Sequence, residues 1–93
     1  MAVSYWMRWG VTGLGEAGEA VADMSSALRA LDISVRRAQE RLCTPSEAVM
    51  LGESAERMRE QMLTDGVRAM GLGNRWSFSV QNLEVTLIPR STE

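Results

Sequence analysis

Apolar residues recur every three or four positions between residues 14 and 42, which is the longest regular pattern in the chain. An average repeat of about 3.5 residues places apolar side chains along one face of an α-helix. At a rise of 1.5 Å per residue, a helix of this length would measure about 43 Å. The pattern therefore predicts a long first helix, around which the rest of the chain packs. Its apolar seam comprises Leu14, Ala17, Val21, Met24, Leu28, Leu31, Val35, Ala38 and Leu42.

A second helix is predicted over residues 45–70. Its start is marked by Thr44-Pro45-Ser46-Glu47, a capping box with proline at the first helical position. Because the connection between the helices is so short, they are expected to fold back as an antiparallel hairpin. The apolar seam of the second helix is interrupted at Asp65-Gly66 and resumes on a shifted face. Two outcomes fit this interruption: a stutter within a helix that continues to about Met70, which we favour, or an early end at Gly66.

Both ends of the chain alternate apolar and polar residues with a period of two, which is typical of half-buried strands. Residues 3–11 form the first predicted strand, and residues 75–88 form a predicted β-hairpin. A two-residue turn at Gln81-Asn82 would place three apolar residues of one hairpin strand opposite three of the other. The resulting pairs are Val80 with Leu83, Phe78 with Val85 and Trp76 with Leu87.

The predicted order of elements is β-α-α-β-β, within a single domain of residues 1–93. The simplest assembly of these elements is of the α+β class: a three-stranded antiparallel sheet packed by one apolar face on the antiparallel helical hairpin. The opposite face of the sheet would then carry polar residues together with two large apolar side chains, Trp6 and Ile88. An accessible tryptophan is a common anchor in protein interfaces. We therefore expect Trp6, Arg8 and Ile88 to contact a protein partner.

The first half of the long helix predicts self-association. In the register of the hairpin, the second helix presents Asp65 and Gly66 where the first still presents apolar residues. Strands of seven to nine residues reach only about 25–30 Å, so the sheet is too short to cover the exposed seam. A second copy of the helix would cover it in an isologous homodimer, whereas a stutter that brings in Leu63 and Val67 would leave a monomer. The expected dimer contacts are Leu14, Ala17, Val21 and Met24.

Composition narrows the possible partners. The net charge of −2 creates no general attraction to nucleic acid or to anionic lipid. Four arginines of the first helix could meet phosphate, but acidic residues interrupt them, so nucleic acid and membranes are not expected partners. All ten basic residues are arginine, a bias typical of a GC-rich bacterial or phage genome. With no evident signal peptide or transmembrane run, the chain is expected to be cytoplasmic. The four arginines of the first helix that could meet phosphate are Arg29, Arg36, Arg37 and Arg41.

The residues that usually carry catalysis are scarce in this sequence. Histidine is absent, and the single Cys43 therefore lacks the base that would complete a nucleophilic dyad. The acidic residues follow helical faces without converging on further ligands, as a metal site would require. We therefore predict no catalytic residues, no metal site and no cofactor, and we expect that the chain is not an enzyme.

One motif offers an alternative function. The stretch Gly13-Leu14-Gly15-Glu16-Ala17-Gly18 has the form G-x-G-x-x-G between a predicted strand and a predicted helix. Over residues 3–37 the chain thereby resembles the dinucleotide-binding unit of nicotinamide-dependent oxidoreductases. The resemblance implies a nucleotide-binding fragment that takes NADP, with the pyrophosphate on the glycine turn and the ribose 2′-phosphate on arginine. The residues implied are Gly13, Gly15, Gly18, Arg36 and Arg37.

The interpretation that we favour is a non-enzymatic protein–protein interaction module. Its supporting features are spread over the whole chain, whereas the nucleotide-binding alternative depends on one hexapeptide. Such a module would be a small oligomeric adaptor, or a phage-type inhibitor that binds a larger protein.

Overall fold

The structure, a computed structural model, describes residues 3–41 and 43–91. Leu42, the last residue of the predicted seam, lies outside the described residues. Two strands come first, then a helical hairpin, and then two more strands. The elements are β1 (Val3–Val11), β2 (Gly15–Val21), α1 (Met24–Arg41), α2 (Pro45–Gln61), a π-helical turn (Met62–Gly66), α3 (Val67–Gly71), β3 (Trp76–Val80) and β4 (Leu83–Ser91).

The four strands form one antiparallel sheet in the order β2-β1-β4-β3. The predicted α+β class and the helical hairpin are confirmed, but the prediction of three strands is wrong. The additional strand is β2, which was expected to be the beginning of the long helix. It pairs with β1 in a hairpin and becomes one edge of the sheet, with β3 at the other edge.

Two glycines explain why residues 15–21 do not form the first turns of the predicted helix. Gly13 and Gly15 have φ values of 87° and 125°, which belong to the left-handed region that side chains disfavour. The backbone N–H of Leu14 donates to the carbonyl of Val11 over 2.9 Å, so that Gly13 occupies the third position of a tight turn. Glycine inside a helix would also cost about 1 kcal/mol at each position. The chain therefore reverses at residues 12–14 and returns along β1.

The first helix is consequently shorter than predicted. It has 18 residues and spans about 27 Å, and it starts after Asp23, whose Oδ1 accepts a hydrogen bond from the Ser26 backbone N–H over 2.8 Å. This aspartate acts as the N-cap. Beyond it the predicted seam faces the core: Leu31 and Val35 are buried, and Met24, Leu28 and Ala38 are partly buried against it.

The second helix starts at the predicted capping box. Thr44 Oγ1 accepts from the Glu47 backbone N–H, and Glu47 Oε1 accepts from the Thr44 backbone N–H. The helix then continues past Gly66 to Gly71, and the expected stutter is a π-helical turn at Met62–Gly66. A π turn holds an additional residue, which keeps Met62 and Gly66 on the buried face after Met58.

Gly66 lies against the start of α1, as the hairpin register predicts. A Cβ on Gly66 would be 3.0 Å from Met24 Cε, so the missing side chain leaves the space that Met24 occupies. Leu63 and Val67, the alternative cover for this end of the hairpin, are instead exposed. The two arms of the helical hairpin are therefore in close contact here, with Met24 packed on Gly66.

The hairpin of β3 and β4 has the predicted turn and register, with Val80 opposite Leu83 and Phe78 opposite Val85. Gln81 has a φ of 54°, which is unusual for a residue with a side chain. Its Oε1 accepts a hydrogen bond over 2.9 Å from Ser54 Oγ, and Ser54 is buried on α2. This bond anchors the turn to the helical layer.

The core lies between the helical hairpin and one face of the sheet. Alternate residues of β1 and β4 point towards the helices, and the residues between them lie on the opposite face, where Arg8 and Glu84 are exposed and Thr86 is buried. Tyr5 additionally connects the two layers, because its hydroxyl donates to the carbonyl of Met70 over 2.8 Å. The side chains that are buried most completely include Met7, Leu31, Met58, Met62, Val85 and Leu87.

The two helix caps predict loss of stability in acid. The Ser26 and Thr44 backbone N–H groups donate to the carboxylates of Asp23 and Glu47, and this lowers both pKa values from their ordinary values of 3.8 and 4.5. A carboxyl with a lowered pKa stabilises the folded chain above its ordinary pKa, and this contribution disappears as the pH falls through the lowered pKa. We expect the urea midpoint, followed by circular dichroism, to fall below about pH 4.5. The double variant Asp23→Asn/Glu47→Gln should fall less steeply over that range, and the exposed-site variant Glu53→Gln should follow the wild type. A double variant as acid-sensitive as the wild type would contradict this account of the caps.

Candidate interaction surfaces

The outer face of the sheet, which points away from the helices, brings together the three residues predicted to bind a partner. Trp6 and Ile88 lie directly opposite each other on β1 and β4, and Arg8 lies two residues further along β1. Trp6 and Ile88 are half-buried and Arg8 is exposed. Period-two alternation was sufficient to place them on one face. Their role in binding remains a prediction.

Trp6 makes two contacts that the period-two pattern of β1 does not indicate. One edge of its indole lies beside the position that a side chain on Gly18 of β2 would take, since a Cβ there would be 2.9 Å from ring atom Cζ2. On β4, the guanidinium carbon of Arg90 lies 4.7 Å from the ring centroid, a cation–π distance. Strand register explains both contacts. Arg90 lies diagonally across from Trp6 on β4, and Gly18 does so on β2, a strand that the sequence pattern does not predict. Arg90, Trp6 and Arg8 therefore form a basic and aromatic strip, with Ile88 beside it.

A groove of about 1070 Å³ opens between β2 and α1. One wall is formed by residues of β2 and the other by residues of α1, which follows β2 in the chain. The apolar lining includes Trp9, Val11 and Val35. Six of the seven β2 residues are exposed, so the strand contributes one open wall of the groove and one edge of the sheet.

The walls of the groove carry opposite charges. Glu19 lies on the β2 wall, and Arg29, Arg37 and Arg41 lie on the α1 wall; Glu16 also lines the groove, but its pairing with Gly10 places it on the outer side of the sheet. Glu19 is paired with Met7, whose side chain is buried beneath the helices, and this places Glu19 on the helix-facing side of the sheet. The groove therefore combines an apolar lining with opposite charges, because Glu19 of β2 faces the basic residues of α1.

The predicted dimer residues no longer form a helical seam. Leu14 lies in the turn, while Ala17 and Val21 lie in β2, and all three line the groove. Met24 begins α1 and packs on Gly66. The helix-to-helix contact that was expected at residues 14–21 is therefore wrong, since these residues form a turn and a strand. Whether the chain forms a dimer remains a prediction.

The glycine motif loses the geometry on which its resemblance depends. A dinucleotide fingerprint needs a helix that starts at the glycine turn, so that its N-terminus meets the pyrophosphate. Here a strand follows the turn, and α1 begins only at Met24. A Cβ on Gly18 would meet the ring of Trp6. Arg36 and Arg37 are exposed on α1, and Arg37 belongs to the basic wall of the groove.

The other polar side chains that make defined contacts support the fold. Arg59 of α2 donates to Asp32 of α1 in an ion pair across the helical hairpin, and both side chains are partly exposed. Cys43 is half-buried between the helices. Within residues 3–41 and 43–91, His, Cys, Asp and Glu side chains form no group of three that could hold a metal ion. In the same described ranges, every helix is too short or too polar to cross a membrane.

Comparison with protein-family models, with curated proteins and with solved structures finds no match for this chain. A function must therefore be assigned from the geometry of the chain. Two surfaces stand out: the outer face of the sheet around Trp6, and the groove between β2 and α1.

Proposed function

We propose that this protein is a non-enzymatic protein–protein interaction module that binds a larger protein through the outer face of its sheet. It would act as a small adaptor or as an inhibitor that covers a site on its partner. The observation that carries the proposal is the strip of Arg90, Trp6 and Arg8 next to Ile88, on the sheet face that lies opposite the helical layer.

The strip has the properties of an interface anchor. Tryptophan and arginine are enriched among the residues that contribute most to binding, and aromatic rings bury much area for little loss of conformational freedom. Arg90 lies over the ring of Trp6, and the missing side chain of Gly18 leaves room for the ring on β2, so part of the entropic cost of ordering Trp6 is met before binding. The two arginines favour a partner surface with carboxylates around an apolar centre.

A purely structural role for Trp6 is the simplest competing explanation. Antiparallel sheets often leave one face to solvent, and an indole over a strand glycine supports the sheet by itself. A test must therefore leave the packing of Trp6 on Gly18 intact. Arg8 meets this condition, because it is exposed on the same face and surface substitutions of this kind usually change stability by no more than about 0.5 kcal/mol.

The experiment compares quantitative affinity capture by the wild type, by Arg8→Glu and by a matched charge reversal on α2, Arg57→Glu, which lies on the helical layer. Lysate from GC-rich bacteria supplies the candidate partners, and mass spectrometry quantifies what each bait retains. The proposal expects a protein that Arg8→Glu loses at least about tenfold and that Arg57→Glu retains. Equal recovery of every captured protein by the two variants would contradict a binding role for the outer face.

A further inference from the structure

The groove between β2 and α1 is a second surface, independent of the outer face. It combines three features: an edge strand with six exposed residues, an apolar lining, and walls of opposite charge. An edge strand presents unpaired N–H and C=O groups, to which another strand can bind. We infer that a second copy of this chain binds here, with β2 of each copy pairing antiparallel to β2 of the other.

Strand register restricts how two copies can pair. For the helices of both copies to lie on the same side of a continuous sheet, residues that face each other must share a face. The register that pairs all seven residues of β2 is centred on Gly18, with Ala17 opposite Glu19 and Glu16 opposite Ala20. Each glutamate then faces an alanine of the second copy, and direct opposition of like charges, which destabilises a sheet, is avoided.

The position of α1 agrees with this two-fold centre. From the bend between β2 and α1, Gly18 is about 10 Å back along the strand, and Ile33 is about 13 Å along the helix. A symmetry axis that passes near Gly18 would therefore also pass near the position of Ile33 along the helix of each copy. Ile33 lines the groove and is 45% exposed, although it is a large apolar residue in the middle of α1. Pairing of two copies would reduce that exposure.

Charge complementarity favours a second copy over an unrelated segment. The groove has an acidic strand, with Glu19 on the helix-facing side, and a basic helix, with Arg29 and Arg37. A two-fold axis presents the basic wall of each copy to the acidic strand of the other, so one surface complements itself. The result is an eight-stranded sheet with both helical hairpins on one side. The two outer faces would then be continuous, but binding there and dimerisation can each fail without the other.

The test is sedimentation equilibrium on full-length protein at micromolar to submillimolar concentrations. We expect a wild-type dimer, and Glu19→Arg should raise its dissociation constant at least about tenfold, because it places like charges across the groove. Glu53→Arg makes the same charge change on the exposed surface of α2 and should leave the dimer unchanged. Circular dichroism checks that each variant is folded.

Mixing provides the sharper part of the test. Glu19→Arg and Arg29→Glu/Arg37→Glu should each dimerise poorly alone, and together they should recover a dimer at close to wild-type affinity. A wild type that stays monomeric at the highest concentration would overturn the proposal. So would a dimer that Glu19→Arg leaves intact, and so would a mixture that recovers no dimer. A monomer that still captures another protein through the outer face would overturn the dimer and leave the proposed function standing.

Discussion

Leu87→Ala is expected to lower the free energy of unfolding by about 2–5 kcal/mol, as is typical for a fully buried leucine truncated to alanine. Leu87 is 0% exposed, and it lies on β4 between Met7 of β1 and Trp76 of β3. The truncation would remove apolar contacts in the centre of the sheet and leave a cavity under the helices. Urea denaturation followed by circular dichroism measures the loss.

The control for this prediction is Ser77→Ala on the neighbouring strand. Ser77 is exposed on the outer face, so its replacement should change stability by less than about 0.5 kcal/mol. Comparable losses for the two variants would mean that the helices do not cover the face that carries Leu87.

Gly18→Val is expected to destabilise the protein by about 1–3 kcal/mol, the usual cost of overpacking. Valine normally favours a strand over glycine, so the packing of the Trp6 ring reverses the usual sign. The nearest ring atoms lie 2.9–3.0 Å from a Cβ at this position, and they belong to a rigid indole that must move as a whole. Urea denaturation at low micromolar concentration measures the effect.

A double-mutant cycle isolates the contact. In a Trp6→Ala background the ring is gone, so Gly18→Val should be neutral or stabilising through β-propensity. A penalty of the same size in both backgrounds would show that Gly18 does not lie under Trp6, and it would contradict the pairing of β1 with β2.

Where apolar side chains are buried, local sequence was sufficient to predict the structure. Only one register of the β3–β4 hairpin pairs all three apolar residues of β3 with all three of β4, and in it Phe78 lies opposite Val85. The stutter in the second helix was readable from the interruption of its apolar seam at Asp65-Gly66, although the π turn buries Met62 and Gly66 and leaves Leu63 and Val67 exposed. Period-two alternation likewise placed Trp6 and Ile88 on the face away from the helices.

The same reasoning failed at β2 for a physical reason. An edge strand with six exposed residues does not need an apolar alternation, so its sequence carries little strand signal. Three residues, Leu14, Ala17 and Val21, fitted the helical spacing by themselves. Stronger signals were the glycines at 13, 15 and 18 and the N-cap Asp23, which marks the true helix start. The groove and the contact of the Trp6 ring at Gly18 both depend on this strand, so neither follows from a sequence pattern that indicates a helix over residues 15–21.

The central claim is that residues 15–21 form an edge strand paired with β1, since the groove, the proposed dimer contact and the support of Trp6 all depend on it. The most direct measurement is backbone NMR of the full chain, with secondary chemical shifts and cross-strand nuclear Overhauser effects. The structure predicts strand shifts from Gly15 to Val21, contacts between the backbones of Trp9 and Ala17, and helical shifts beginning only at Met24. Helical shifts that run unbroken from residue 15 into α1 would contradict the account.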